Sequence, residues 1–129
     1  MANLEGLLLF LLYFALSLAM LAGFTRLYLG LTPYDEAKDI RARNLAPAIA
    51  LAGAMLGFTF PLLVASFTHA SLLGFIAWGG FACVVQLAAF QALYRWLPNV
   101  IETNNVAGAT CFAATSVCVG LVNAASFIP

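Results

Sequence analysis

Asn44-Leu-Ala-Pro-Ala-Ile-Ala-Leu-Ala-Gly-Ala-Met-Leu-Gly-Phe58, continued by Thr59-Phe-Pro-Leu-Leu-Val-Ala-Ser-Phe67, is the stretch on which the fold turns. It contains no charged residue and outruns the roughly 20 apolar residues that a bilayer crossing requires. It shows none of the period-2 alternation of a membrane barrel strand. Backbone amides and carbonyls inside hydrocarbon have no water to bond, so they must bond each other within the segment, and the segment must be a helix.

Working outward from this span (about Leu45 to Ala70), three more stretches read the same way: about Leu7 to Leu31, Leu72 to Leu97 and Val106 to Ile128. Arg26 interrupts the first only near its end. The expected fold is an all-α integral membrane protein with four transmembrane helices in one bundle, a single domain over 1–129. The bulk numbers agree. Of 129 residues, 64% are hydrophobic and 8% charged, and mean hydropathy is +1.02. Soluble domains are about a quarter charged, so a soluble globular or disordered chain is excluded. Formal net charge is zero, which leaves no basic field for nucleic acid. Three cysteines are too few and odd in number for a disulfide scaffold.

The first apolar run has a competing reading as a signal peptide, because Ala19-Met-Leu-Ala-Gly23 offers small residues for cleavage. Its flank, Met1 to Gly6, carries Glu5 and no Lys or Arg, and the run exceeds a typical signal-peptide core. It is read as a retained helix. The basic residues give the orientation. Arg26, Lys38, Arg41 and Arg43 cluster around the first connection and Arg95 opens the third. Cytoplasmic loops carry the excess of Lys and Arg, so connections one and three are expected inside and both termini outside. Tyr28, Tyr34, Tyr94 and Trp96 fall where an aromatic belt would sit. The connection Thr32 to Asn44 is read as a short interfacial helix capped by Thr32, with Pro33 in its first turn; a solvated loop is the alternative.

The two halves echo each other. Tyr28-Leu-Gly-Leu-Thr-Pro33 matches Tyr94-Arg-Trp-Leu-Pro98, and Asn44-Leu-Ala-Pro-Ala48 matches Asn105-Val-Ala-Gly-Ala109. Two helices per half imply tandem repeats of one orientation, about 1–70 and 71–129, related by an axis along the membrane normal. On these segments, together with Ala77-Trp-Gly-Gly80 and Val122-Asn-Ala-Ala125, the chain resembles the YjfL-like family of small bacterial inner-membrane proteins, domain of unknown function 350. The resemblance covers the whole chain. It implies four transmembrane helices in two repeats and a place in the bacterial inner membrane, and it lends no activity.

The residues that could carry chemistry fall in three groups. Gln86, Gln91, Asn123 and Thr115, with Thr59, Thr110 and Ser116, are polar within the spans. They make either a track for a small solute or hydrogen bonds between helices, worth about 0.6 kcal/mol each. No Asp, Glu or Lys lies well inside a span, so a proton relay lacks its usual ionisable residue. Gly53, Gly57, Gly79, Gly80 and Gly120 are small residues at helix-packing positions, and Pro61 should kink its helix. Asn44 and Asn105 are expected to cap the second and fourth spans at the cytoplasmic face beside Arg41 and Arg43, where an anion or a lipid headgroup could be held.

His69 stands alone, and Cys83, Cys111 and Cys118 read as packing residues. No catalytic set, phosphate loop or metal pattern is present, so neither enzyme activity nor a cofactor is expected. The favoured reading is a non-catalytic membrane component, an oligomeric helical bundle that docks a cytoplasmic protein or lipid. An oligomeric channel or carrier for a small ion or solute is the alternative. The two differ in whether Gln86 and Asn123 face water or pair with neighbouring helices.

Overall fold

A computed structural model describes residues 2–32, 36–68 and 71–126. It contains five helices: α1 (Ala2–Leu31), α2 (Glu36–Arg41), α3 (Leu45–Thr68), α4 (Leu72–Trp96) and α5 (Val106–Ala125). No strand occurs among the described residues. α1, α3, α4 and α5 are each long and apolar enough to cross a membrane. At 1.5 Å per residue even the 20 residues of α5 span about 30 Å, the thickness of the hydrocarbon layer.

α1 and α4 run side by side in the same direction. Tyr13 meets Phe75 edge-on with ring centroids 5.4 Å apart, Tyr28 meets Phe90 at 4.7 Å, and the Gln91 side-chain amide donates to the Leu31 carbonyl at 3.3 Å. α3 and α5 also run parallel to each other and form the most extensive helix contact of the molecule. α4 lies across both of them, and α1 packs on α3 and α4. The result has two layers, α1 with α4 and α3 with α5.

Aromatic rings bind the layers together. Phe24 stacks on Phe58 with centroids 4.6 Å apart, and Phe90 meets Phe112 at 5.6 Å. With Tyr28, these rings draw all four spans into one buried cluster. Tyr28 is 1% exposed, so it is a core residue and not a member of an interfacial belt, whereas Trp96, 79% exposed, sits on the surface as a belt residue would. Tyr34 lies outside the described residues.

The Thr32 amide donates to the Tyr28 carbonyl and its hydroxyl to the Leu29 carbonyl, so Thr32 closes α1. The turn it is expected to cap, Pro33 included, falls at 33–35, outside the described residues. α2 is six residues long, and Arg43, two residues past its end, has φ 65°. The Arg43 amide bonds Ile40 and the Asn44 amide bonds Asp39, the pair of bonds that terminates a helix in a left-handed residue. Ala42 bonds Lys38 in the same turn.

The same three bonds recur 61 residues later, as Thr103 to Asn99, Asn104 to Ile101 and Asn105 to Val100. Asn104 has φ 55°, matching Arg43. Both connections thus enter their next span through one backbone design, and they lie at the same end of the bundle as Lys38, Arg41, Arg43 and Arg95.

Candidate functional site

The polar residues of the spans gather where α3, α4 and α5 meet. Small side chains let the backbones approach. An ideal Cβ on Gly53 would stand 2.5 Å from the Ala113 Cβ, and one on Gly120 would stand 2.7 Å from the Gly57 Cα and 2.6 Å from its carbonyl carbon. No real Cβ fits at either place. The Gly57 carbonyl would normally accept the amide of residue 61, but that residue is proline, buried within α3, and it has no amide to give. The Gly120 Cα–H approaches the carbonyl so released, a contact of the C–H···O type that recurs at close helix crossings.

Gln86, 2% exposed, reaches this crossing from α4. Its Nε2 donates to the Ser116 carbonyl at 2.6 Å and stands 2.5 Å from where a Cβ on Gly57 would be. A carbonyl needs a donor, so the nitrogen must face Ser116. The amide oxygen Oε1 is buried with no partner. Asn123, 8% exposed, makes the reciprocal contact: from α5 its Nδ2 donates to the Ala82 carbonyl of α4 at 3.3 Å. Two amides thus tie α4 and α5 together through backbone carbonyls.

The remaining polar residues are dispersed. Gln91 ties α4 to the end of α1. Thr59 and Thr110 return their hydroxyls to Met55 and Val106 of their own helices. Thr115 is half-buried on α5, next to Ser116. Asn123 also edges a groove of about 440 Å³ between α4 and α5, lined with Phe81, Val85 and Cys118. Gly79 packs against Met20 and Leu62, while Gly80 has nothing within 4 Å of its Cβ position and faces outward. Cys111 and Cys118 are exposed on α5 and only Cys83 is half-buried, so the two α5 thiols point away from the bundle instead of packing inside it. His69 lies outside the described residues. Among the described residues no three His, Cys, Asp or Glu stand close enough to share a metal ion.

At the end of the bundle that carries the connections before α3 and α5, Asn105 caps α5, its Oδ1 accepting the Gly108 amide at 3.0 Å. Asn44 occupies the same place before α3, but the third residue after it is Pro47, which has no amide to offer a capping side chain. The α3 start is instead capped from the other connection: Asn104 Oδ1 accepts the Ala46 amide at 2.9 Å. Arg41 and Arg43 are exposed nearby, and Tyr94 donates its hydroxyl to Glu102. The sequence reading missed Asn104. The signal was present in the Asn104-Asn105 pair and in a proline at the position that a cap would serve. The Phe24–Phe58 and Phe90–Phe112 pairs were also missed, because apolar residues on every side of a span hide which of them face inward.

Taken together, the junction holds neutral amides and carbonyls that bond helix to helix. The family model DUF350, Domain of Unknown Function, matches residues 1–127. The chain is 33% identical over 125 residues to the UPF0719 inner membrane protein YjfL of Escherichia coli strain K12, covering 95% of each chain. The same figures hold for the protein of that name from Escherichia coli O157:H7. No solved structure matches.

Proposed function

The chain belongs to the DUF350 family, and from that premise we propose that it is a non-catalytic component of the bacterial inner membrane. In this reading it is a homo-oligomeric helical bundle that serves as a scaffold, with cytoplasmic connections that dock a protein or lipid headgroups. One observation carries the reading: the amides of Gln86 and Asn123 are spent on the Ser116 and Ala82 carbonyls of a neighbouring helix. A conducting path would need those groups turned toward water. The relatives' name supports the inner-membrane location. The shared end of Lys38, Arg41, Arg43 and Arg95 supports cytoplasmic connections with both termini outside.

Two tandem repeats, about 1–70 and 71–129, belong to the same proposal. The three hydrogen bonds that recur at an interval of 61 residues support them. So do the parallel pairs α1 with α4 and α3 with α5.

Flux across proteoliposomes tests the reading. With the protein reconstituted, leakage of protons, potassium and small neutral solutes is expected to equal that of empty vesicles. Flux abolished by Gln86→Leu or Asn123→Leu would replace this reading with an oligomeric channel or carrier, the alternative that the open groove beside Asn123 favours. For orientation, a cysteine placed at His69 is expected to react with an impermeant thiol reagent from outside and one at Lys38 to be protected.

A further inference from the structure

The two halves touch through different faces. α3 presents Gly53 and Gly57, whereas α5 presents Ala113, Ser116 and Gly120. Carried back by the 61-residue interval of the repeated connection, the α5 set corresponds to Ala52, Met55 and Thr59 on α3. At about 3.6 residues per turn this is roughly 150° around the helix from Gly53 and Gly57. Halves related by a two-fold axis would meet through one and the same face. These meet front to back, as neighbours in a row do, and such a contact leaves an unused front at one end and an unused back at the other.

Both unused faces are visible. Gly57, Phe58, Pro61, Leu62 and Ala65 of α3 are all buried. Their counterparts one interval later are Cys118, Val119, Val122, Asn123 and Ser126, and these line the open groove between α4 and α5. The second half of the chain covers Gly57 of this set through Gln86, Ser116 and Gly120, while Phe58 stacks on Phe24 of α1. At the opposite end, Ala109, Phe112, Ser116 and Gly120 are buried, Ser116 and Gly120 against Gly57 of the first half and Phe112 against Phe90 of its own half. Of their counterparts, Thr59 is exposed and Ala48, Leu51 and Met55 are only half-buried. Thr59 lines a second groove, of about 230 Å³, with Phe14 and Leu18 of α1.

We propose that the open groove between α4 and α5 is filled by the α1/α3 face of a second copy of this chain, which continues between molecules the front-to-back contact made within one. The proposal rests on the tandem-repeat reading above, and continuity with that internal interface chooses the occupant over lipid or an unrelated helix. It also fixes the register. The internal contact of Gly57 with Gly120 becomes Cys118 against Thr59 of the second copy, and that of Gly53 with Ala113 becomes Ala114 against Ala52 of the second copy. Cys118 and Ala114 are exposed and small, as close approach of helices in lipid requires.

Oxidative crosslinking of the full chain in native membranes tests this, in a background carrying Cys83→Ala and Cys111→Ala. With Thr59→Cys beside the native Cys118, a species of twice the 13.7 kDa monomer mass is expected. It should be lost when either cysteine is removed, and it should form between two differently tagged copies that carry one cysteine each. Ala52→Cys with Ala114→Cys, in a background also carrying Cys118→Ala, gives an independent pair should the first variant fold poorly. Product from Cys118 alone at equal yield would mean a two-fold contact and would overturn the proposal. So would the absence of product from both pairs. If that absence accompanies an oligomer seen by native mass spectrometry, the front-to-back contact falls while the scaffold reading stands. Solute flux tests the scaffold reading separately.

Discussion

The Gly57 carbonyl lies against the Cα of Gly120 and lacks its usual amide donor, because the residue four places on is Pro61. The two glycines and the proline therefore act as one unit. Proline frees the acceptor, and the absence of a side chain on α5 lets a Cα–H come near it. Gly120→Ala would drive a methyl group into backbone that cannot rotate away. It is expected to destabilise the bundle by about 1–3 kcal/mol, the range for overpacking a close-packed site. Thermal unfolding in detergent measures the loss, and an unchanged midpoint would show that the two helices can part without cost.

Gln86 gives a contrast between polarity and charge. Gln86→Leu removes both the bond to Ser116 and the unpartnered Oε1. The bond is worth about 0.6 kcal/mol and the buried orphan oxygen opposes it, so the change in stability should stay within about 1 kcal/mol. Gln86→Glu keeps the shape and places an ionisable group deep in a span. It should cost about 2–3 kcal/mol at neutral pH, read as a lower unfolding midpoint and lower yield in the membrane fraction.

Asn104→Gly separates the trans-helix cap from the backbone geometry, since glycine accepts the positive φ of that residue without strain. Loss of the bond to the Ala46 amide should cost about 1 kcal/mol. Hydrogen exchange should quicken at Ala46 in particular, while the start of α5, capped by Asn105, keeps its protection.

Neighbouring glycines on α4 should behave differently. Gly80→Ala meets open space and should be neutral or stabilising by up to about 1 kcal/mol, the helix-propensity gain. Gly79→Ala meets the end of the Met20 side chain, which is flexible and can give way. It should be destabilising, but less so than Gly120→Ala. Unfolding midpoints of the three variants in one detergent give the order.

Apolar length disclosed the spans because the bilayer sets one hard requirement, a helix long enough to cross, and the stretch after Asn44 meets it on count alone. Which side of each helix faces protein was not legible. In water an inward face is marked by hydrophobic periodicity, but α1 is apolar all round, and Phe24 and Tyr28 looked no different from Phe10 and Phe14, which the structure leaves exposed. Gly53, Gly57 and Gly120 could be picked out because small residues are the packing signal in lipid. Gly80 carried the same signal and faces outward. Asn105 acts as the cap its sequence suggested. Asn44 does not: Pro47, three residues on, has no amide, and the Ala46 amide is taken by Asn104.

The Asn104 cap also bears on the order in which the molecule is completed. An amide at the start of the earlier hairpin waits for a side chain that is synthesised only after two further spans. Until residue 104 leaves the ribosome, water must serve the Ala46 amide, and the connection between the first two spans stays loosely closed. The half made first is thus finished by the half made last, and a chain truncated before Asn104 would insert its early helices without locking them.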